Sequence, residues 1–128
     1  MDTKKIVIVE DDPMIMLSLQ FLMKQQGHQS HLAKSGEEAL ELIKAIHPDL
    51  ILMDVMLPNR TGVEICAILR DKAEFQHTKI ILLTAKDRDT DIQKGMDAGA
   101  NAYVTKPFST IELTNTVQKL LAENKIKP

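Results

Sequence analysis

Six polar residues have the side-chain types needed to bind a metal ion and to accept a phosphoryl group. Four are carboxylates, one carries a hydroxyl and one carries an amine: Glu10, Asp11, Asp12, Asp54, Thr84 and Lys106. Carboxylates at close range repel one another unless protons or a cation neutralise them, and an all-oxygen ligand set favours Mg²⁺. With Mg²⁺, the amine and the hydroxyl stabilising the phosphate oxygens, Asp54 would attack phosphorus in line. These residue types therefore predict phosphoryl transfer onto a carboxylate.

The six residues are scattered along the chain, but each lies at or just beyond the end of an apolar run. The runs cover positions 6–9, 50–53, 80–83 and 102–105. Aliphatic runs without polar alternation are typical of strands that are covered by helices on both faces, as in a parallel sheet. The ligand crevice of such a sheet lies beyond the carboxyl ends of its strands. We therefore expect the polar residues to meet at one edge of the sheet.

Capping signals place helices between these strands. Asp12-Pro13 is an N-cap followed by proline at the first helical position. Capping boxes, in which Ser or Thr is followed three residues later by Glu, begin at positions 35, 61 and 109. The fourth helix is expected to start between positions 87 and 90 and to stop at Gly99, a glycine suited to the end of a helix.

The alternation of strands and helices predicts one α/β domain. Strands are expected at 5–9, 29–33, 50–54, 79–84 and 102–105, each followed by a helix. Right-handed crossovers then give a doubly wound parallel sheet with five helices. The second strand is weak and polar, as an edge strand would be, which favours the flavodoxin-like order 2-1-3-4-5. The 128 residues suit a single domain, 1–128, with 123–128 expected to fray.

Composition excludes several classes of function. A net charge of −2 leaves no global basic surface, so neither nucleic acid nor anionic lipid is an expected partner. The apolar runs are too short to span a bilayer. The single cysteine, Cys66, suits a reducing cytoplasm and is expected to be a packed, inert thiol. The four histidines lack metal-ligand spacing and are expected on loops or exposed ends.

Five short motifs give the chain a resemblance to a known family. In order and spacing they are highly specific, although each is weak alone: Glu10-Asp11-Asp12; Asp54-Val55-Met56-Leu57-Pro58 with Gly62 downstream; Thr84-Ala85; Gly99-Ala100; and Tyr103-Val104-Thr105-Lys106-Pro107-Phe108. With these motifs the chain resembles the receiver domain of two-component response regulators over nearly its whole length. It is similar in particular to the single-domain chemotaxis regulators.

The resemblance implies a phosphoacceptor and a metal site. It implies that Asp54 is phosphorylated from a sensor histidine kinase, a histidine phosphotransfer protein or a small phosphodonor. It also implies one Mg²⁺, with Mn²⁺ as a substitute, bound by Asp11, Asp12, Asp54 and the backbone carbonyl of Met56. Glu10 is expected to contribute as a lesser acid.

The resemblance also implies a switch. Thr84, Ala85 and Lys106 are expected to meet the phosphoryl group, and the Lys106–Pro107 peptide is expected to be cis. When the aspartate is phosphorylated, Thr84 moves toward the phosphoryl group and Tyr103 turns inward into the vacated space. The surface of the fourth helix, fifth strand and fifth helix changes, and partners recognise that change. Physically, a small change in charge biases a bistable packing arrangement.

The expected partners follow from this switch. They are the kinase or phosphotransfer protein and a downstream protein target or missing effector domain, in the cytoplasm. Asn101-Ala102 stands where many transcription-factor receivers have an acidic pair that bridges a dimer. A monomer and a phosphorylation-dependent dimer therefore both stay open. The chemistry is self-directed, so the chain is not expected to be a metabolic enzyme.

Three other functions fit parts of the sequence less well. A Mg²⁺-dependent phosphohydrolase with an aspartyl-phosphate intermediate usually needs a second acid shortly after the nucleophile, but Val55 and Met56 follow Asp54. A flavin- or nucleotide-binding domain needs a Gly-rich first turn, but positions 10–13 are acidic and end in proline. A degenerate receiver that acts as a scaffold would have lost pocket residues, and none of the pocket positions is lost.

Overall fold

A computed structural model describes residues 3–123. Five parallel strands form one sheet in the order β2-β1-β3-β4-β5, which confirms the predicted order. The strands are β1 Lys5–Val9, β2 Gln29–Ala33, β3 Leu50–Asp54, β4 Lys79–Thr84 and β5 Ala102–Thr105, with the bounds expected from the sequence. The helices are α1 Pro13–Gln25, α2 Gly36–Ile46, α3 Gly62–Arg70, α4 Asp89–Asp97 and α5 Thr110–Glu123, and a short 3₁₀ helix covers Ala73–Phe75.

The sheet is buried on both faces because successive side chains of each strand point to opposite helical layers. Ile6 and Ile8 of β1 pack into one core with side chains of α1 and α5. Val7 and Val9 pack into a second core with side chains of α2 and α3. The four positions are fully buried, which explains why the strand reads as a continuous aliphatic run.

The helix starts follow their capping signals, but two of the three predicted boxes are only half formed. At Ser109 the structure shows one half, in which Oγ accepts from the Glu112 amide at 3.2 Å. Asp12 caps α1, and Thr61 forms the complete, reciprocal capping box of α3. The box predicted at Ser35 is only half formed, because the Glu38 carboxylate accepts a hydrogen bond from the amide of Lys34 rather than from that of Ser35. Glu38 reaches one residue further back, onto the connection from β2, and ties that connection to α2.

Cys66 is fully buried in α3, as predicted for a packed thiol. Its Sγ donates to the carbonyl oxygen of Ala98 at 3.5 Å. Burial raises the pKa of the thiol to about 11, against a small opposing effect of the Arg70 charge. Since the thiolate is the reactive species, this cysteine is inert at neutral pH.

One histidine follows the predicted strand at 29–33 and not the general expectation for the histidines. His31 is part of β2 rather than of a loop or an exposed end. The position tolerates a polar side chain because β2 is an edge strand that is only partly covered.

The connection between α4 and β5 is held by Arg70 at the end of α3. The Arg70 guanidinium donates from Nε to the carbonyl of Gly99 at 2.8 Å and from Nη2 to Asn101 Oδ1 at 2.8 Å. Asn101 Oδ1 also accepts from the amide of Ile80 at 2.8 Å. The C-terminal end of α4 is therefore fixed to the rest of the fold by a polar network.

Within residues 3–123, no helix has both the length and the apolar character that a membrane crossing requires. Glu123 is the last residue of α5. The rest of the tail that was expected to fray, 124–128, lies outside the described residues.

Candidate phosphoacceptor site

The carboxyl ends of four strands bring the predicted site residues to one edge of the sheet. Asp54 ends β3 and Thr84 ends β4, while Glu10 follows β1 and Lys106 follows β5. The strands run in register, with Asp54 opposite Leu83 on the neighbouring strand. Glu10, Asp54 and Thr84 are at most 6% exposed. Polar side chains buried to this degree need partners.

Lys106 is the cation at the centre of the site. Its Nζ lies 2.8 Å from Glu10 Oε1 and 3.2 Å from Asp54 Oδ2. Burial alone would lower the pKa of this lysine, but its hydrogen bond to Glu10 and the charges of Asp54 and Glu10 outweigh burial and raise it. The ammonium is therefore charged throughout the neutral pH range.

Three carboxylates lie together at this site, and two of them contact the ammonium. Glu10, Asp11 and Asp54 each offer an oxygen, and these oxygens lie within 4.8 Å of one another. Burial raises the pKa of Glu10, and the charge of Asp54 adds to this effect, against the hydrogen bonds from Lys106 and the Asp12 amide. The donor set is all-oxygen and includes an exposed acid, Asp11, so it fits a hard cation such as Mg²⁺ that keeps part of its water shell.

The structure differs from the expected metal ligands at Asp12. The Asp12 carboxylate turns away from the acidic group and accepts hydrogen bonds from the amides of Met14 at 2.9 Å and Ile15 at 3.3 Å. It satisfies free amides at the start of α1. The acidic group of the structure therefore contains Glu10 and Asp11, while Asp12 lies outside it and its part as a ligand stays a prediction.

Asp54 is held in place by the loop that follows it. Its Oδ1 accepts from the amide of Met56 at 3.1 Å. The loop then folds back, and the Gly62 amide donates to the Val55 carbonyl at 2.8 Å. A Cβ at Gly62 would overlap the backbone carbonyl oxygen of Asp54. Only glycine allows this close approach of α3 to the end of β3.

The loop after β4 connects Thr84 to Tyr103. Thr84 Oγ1 accepts from the amide of Lys86 at 3.1 Å, and the Tyr103 hydroxyl donates to the Lys86 carbonyl at 2.9 Å. Ala85, which lies between Thr84 and Lys86 in the loop, is exposed. The Lys106–Pro107 peptide is cis. Thr84 and Tyr103, which the family resemblance places in one switch, thus both contact the backbone of Lys86.

The comparisons with known proteins identify the family. The sequence matches the response regulator receiver domain over residues 6–118. Among solved structures, the chain is similar to the receiver domain of Francisella response regulator 1452, with 31% identity and a TM-score of 0.89 over 95% of this chain and 99% of that chain. It is also similar to the chemotaxis response regulator CheY4 of Vibrio cholerae, with 28% identity and a TM-score of 0.87 over 93% and 99%.

A third similar structure is the signal receiver domain of a signal transduction histidine kinase from Syntrophus aciditrophicus. Its identity is 29% and its TM-score 0.91, over 98% of this chain and 96% of that chain. The family match covers nearly the whole sequence, and the three structures share the complete fold. The chain therefore belongs to the response regulator receiver domain family of two-component signalling.

Proposed function

We propose that the chain is a phospho-accepting response regulator, a single receiver domain over 1–128 that acts in the cytoplasm. Asp54 accepts a phosphoryl group from a histidine kinase or a histidine phosphotransfer protein. The observation that carries this proposal is the environment of Asp54: a buried carboxylate with the Lys106 ammonium 3.2 Å from one oxygen and Glu10 and Asp11 close by. A buried acid between a cation and two further acids suits a reaction in which phosphate charge must be neutralised.

The acidic group would hold the metal. Glu10, Asp11 and Asp54, with the Met56 carbonyl, are the proposed ligands of Mg²⁺, and Mn²⁺ would bind the same oxygens. The ion, when bound, neutralises charge on the phosphoryl oxygens. Lys106, just after β5, provides a second positive charge, so the dianionic phosphoryl group meets cations on two sides.

The bonds that form and break in the reaction belong to Asp54 and the donor. An Asp54 carboxylate oxygen forms a bond to phosphorus as the donor's N–P bond breaks, and the imidazole leaves with the electron pair. Attack of water on the acyl phosphate later returns the carboxylate and releases inorganic phosphate. Both steps act on the chain's own residue, so the chain is a switch rather than a metabolic enzyme.

The proposed output lies on α4, β5 and α5. The Thr84 hydroxyl and the Ala85 amide bind the phosphoryl group, and movement of this loop changes the position of Tyr103 and of the α4–β5–α5 surface. A downstream protein or an effector domain recognises that surface, with the chain as a monomer or as a phosphorylation-dependent dimer. Direct binding to nucleic acid has no place in this mechanism.

Phosphorylation from a small donor tests the proposal. The protein is incubated with acetyl phosphate in Mg²⁺ or in EDTA, and its intact mass is measured. We expect one phosphoryl adduct in Mg²⁺, none in EDTA, and loss of the adduct in hydroxylamine, which cleaves acyl phosphates. If no adduct forms from acetyl phosphate or from a phosphorylated histidine kinase while Mg²⁺ binds, the proposed function is wrong.

We place the docking face for the phosphodonor protein on α1. Met14, Leu17 and Phe21 are 72%, 59% and 61% exposed and recur at helical spacing on one face. The patch begins at Met14, three residues after Asp11 of the acidic group. Apolar side chains this exposed mark an interaction surface, and a donor that reaches Asp54 must cover the surface next to it. A helical phosphodonor could pack against this stripe while its phosphohistidine meets Asp54.

Replacing two of these residues should separate docking from chemistry. In Leu17→Ser/Phe21→Ser we expect transfer from an autophosphorylated kinase to fall about tenfold or more, since central apolar contacts dominate binding. Labelling by acetyl phosphate should not change. Met96→Ser, which removes an apolar side chain that is 40% exposed on α4, is the matched control. Equal transfer to the double variant and to wild type would place the docking face elsewhere.

A further inference from the structure

The Tyr103 ring rests directly on a glycine of α4. Tyr103 pairs with Leu82 across β4 and β5, and Gly95 lies over both side chains. A Cβ on Gly95 would lie 2.9 Å from Tyr103 Cδ2 and 3.0 Å from Leu82 Cδ1. Contacts this short require a neighbour to move. The space above the ring therefore exists because position 95 has no side chain.

The backbone of α4 gives no other reason for this glycine. Gly95 is an interior residue of the helix, and the positive-φ glycines of the described chain are Gly27 and Gly99. Glycine is the least favourable helix residue after proline, and α4 has only nine residues. An alanine would favour the helix but would leave less room over β5.

Tyr103, rather than Leu82, is the side chain that would yield to a larger residue. Leu82 is fully buried in the second core, so it has no free space to enter. Tyr103 is only partly buried and reaches the protein surface. The C-terminal end of α4 is held by the Arg70 contacts to Gly99 and Asn101, which opposes movement of the helix as a body.

We propose that Gly95 is a positioning residue of the switch, because its lack of a side chain permits the Tyr103 ring to occupy the inward position. In that position the Tyr103 hydroxyl donates to the Lys86 carbonyl, two residues beyond Thr84. The ring position does not depend on the proposed function, but its consequence for signalling does. If the ring were outward more often, coupling between Asp54 and the α4–β5–α5 surface would be weaker. Because coupling is reciprocal, the same bias would weaken partner binding to the phosphorylated form.

The sequence supplies its own reporter for the test. Tyr103 is the only tyrosine and the chain has no tryptophan, so fluorotyrosine labelling gives one fluorine NMR signal. In Gly95→Ala we expect this signal to move to the shift of solvent-exposed fluorotyrosine. The pKa of the Tyr103 phenol, which burial and the charge of Asp91 raise against a hydrogen bond with Thr84, should return toward its ordinary value. Gln93→Ala, an exposed alanine substitution in the same helix, should change neither reading.

A double-mutant cycle separates the ring from the other neighbours of Gly95. Gly95→Ala should lower the melting temperature of the native chain and raise it in a Tyr103→Ala background, where helix propensity alone remains. A decrease in both backgrounds would mean that Leu82 or the helix position, and not the ring, requires glycine. An unchanged fluorine signal in Gly95→Ala would also overturn the proposal.

The two proposals fail in different ways. The fluorine signal and the melting temperatures are measured without any phosphodonor, so they test the ring position by itself. If acetyl phosphate and a phosphorylated kinase leave the wild type unlabelled, the proposed function fails. The role of Gly95 in positioning the ring is then still decided by the fluorine signal and the melting temperatures.

Discussion

Asp54→Asn is expected to abolish phosphoryl labelling and to leave the fold intact. An amide oxygen is a far weaker nucleophile than a carboxylate, so no acyl phosphate forms. The shape of the side chain is kept, and Oδ1 can still accept from the Met56 amide as it does at 3.1 Å. Lys106 keeps its shorter contact, 2.8 Å to Glu10, so the pocket retains an ion pair.

The same substitution should stabilise the protein when no metal is present. Three carboxylates lie together in this pocket and two of them contact one ammonium, and the variant removes one of the negative charges. We expect a gain in unfolding free energy of about 1 kcal/mol in EDTA, because one of the mutually repelling charges is removed. Loss of the 3.2 Å contact to Lys106 opposes this gain but does not cancel it, since Glu10 remains paired.

Intact mass after acetyl phosphate and denaturant unfolding in EDTA measure the two effects. Asp71→Asn is the matched control, because it neutralises an aspartate at the end of α3, at the opposite edge of the sheet. It should be labelled as wild type is. Stoichiometric, hydroxylamine-labile labelling of Asp54→Asn would show that another residue accepts the phosphoryl group.

The sheet was predictable from the sequence because its signal is local. Strands β1, β3 and β4 lie between two layers of helices, so nearly every position is buried and each strand is a continuous aliphatic run. The edge position of β2 was readable in the same way, from its polar residues. For these elements no information from distant residues was needed.

The choice between neighbouring acids was not fixed by local pattern. Asp12 carries two signals at once, as an acid in a row of three and as the N-cap before Pro13. Both hydrogen bonds at the start of α1 use Oδ1 of Asp12, so the structure shows this side chain in its capping role. The pair toward the site is then Glu10 and Asp11. The capping signal was visible in the sequence, and it accounts for the position of Asp12 outside the acidic group.

Other features depend on contacts between distant parts of the chain. Gly95 lies inside α4 and has an ordinary helical backbone, so its contact with the Tyr103 ring becomes visible only when α4 is packed on β5. Arg70 is one of several basic residues in the sequence until its guanidinium meets Gly99 and Asn101. Neither position has a sequence signal that distinguishes it from a surface residue.

Lys106→Met is expected to give the largest loss of stability among single substitutions in the pocket. The Lys106 side chain is 17% exposed and contacts the side chains of Glu10 and Asp54, which are 1% and 8% exposed. Removing the cation leaves buried carboxylates without their counter-charge, which costs about 3 kcal/mol or more. Methionine keeps the length of the side chain, so the loss reports charge rather than a cavity.

The loss should depend on Mg²⁺ and on pH in defined ways. A bound cation replaces the missing charge, so Mg²⁺ should raise the melting temperature of Lys106→Met more than that of wild type. The pKa of Lys106 is raised above 10.5 in the folded protein, so its stabilisation is complete below that value and is lost as pH rises through the folded pKa. The difference between wild type and variant should therefore shrink in alkaline solution. It should also shrink in acid, where protonation of Glu10, whose pKa burial raises, removes a charge that needs the lysine.

Lys79→Met is the matched control for burial of a lysine. The Lys79 side chain is 14% exposed and pairs at 3.2 Å with Glu123, whose side chain is 47% exposed. An acid this exposed is solvated when it loses its partner, so the loss should be smaller and independent of Mg²⁺. Equal losses in both variants, with equal responses to Mg²⁺, would contradict a special role for Lys106 in the acidic pocket.

Lys106→Met should also uncouple phosphorylation from the switch. The variant retains Glu10, Asp11 and Asp54, so it should still bind Mg²⁺, but it lacks the cation that joins the phosphoryl group to β5. In fluorotyrosine-labelled wild type, acetyl phosphate with Mg²⁺ should shift the Tyr103 signal, and in the variant the signal should stay in place at equal labelling by mass. A full shift of the Tyr103 signal in phosphorylated Lys106→Met would show that the movement passes through Thr84 alone, with no part for the β5 lysine.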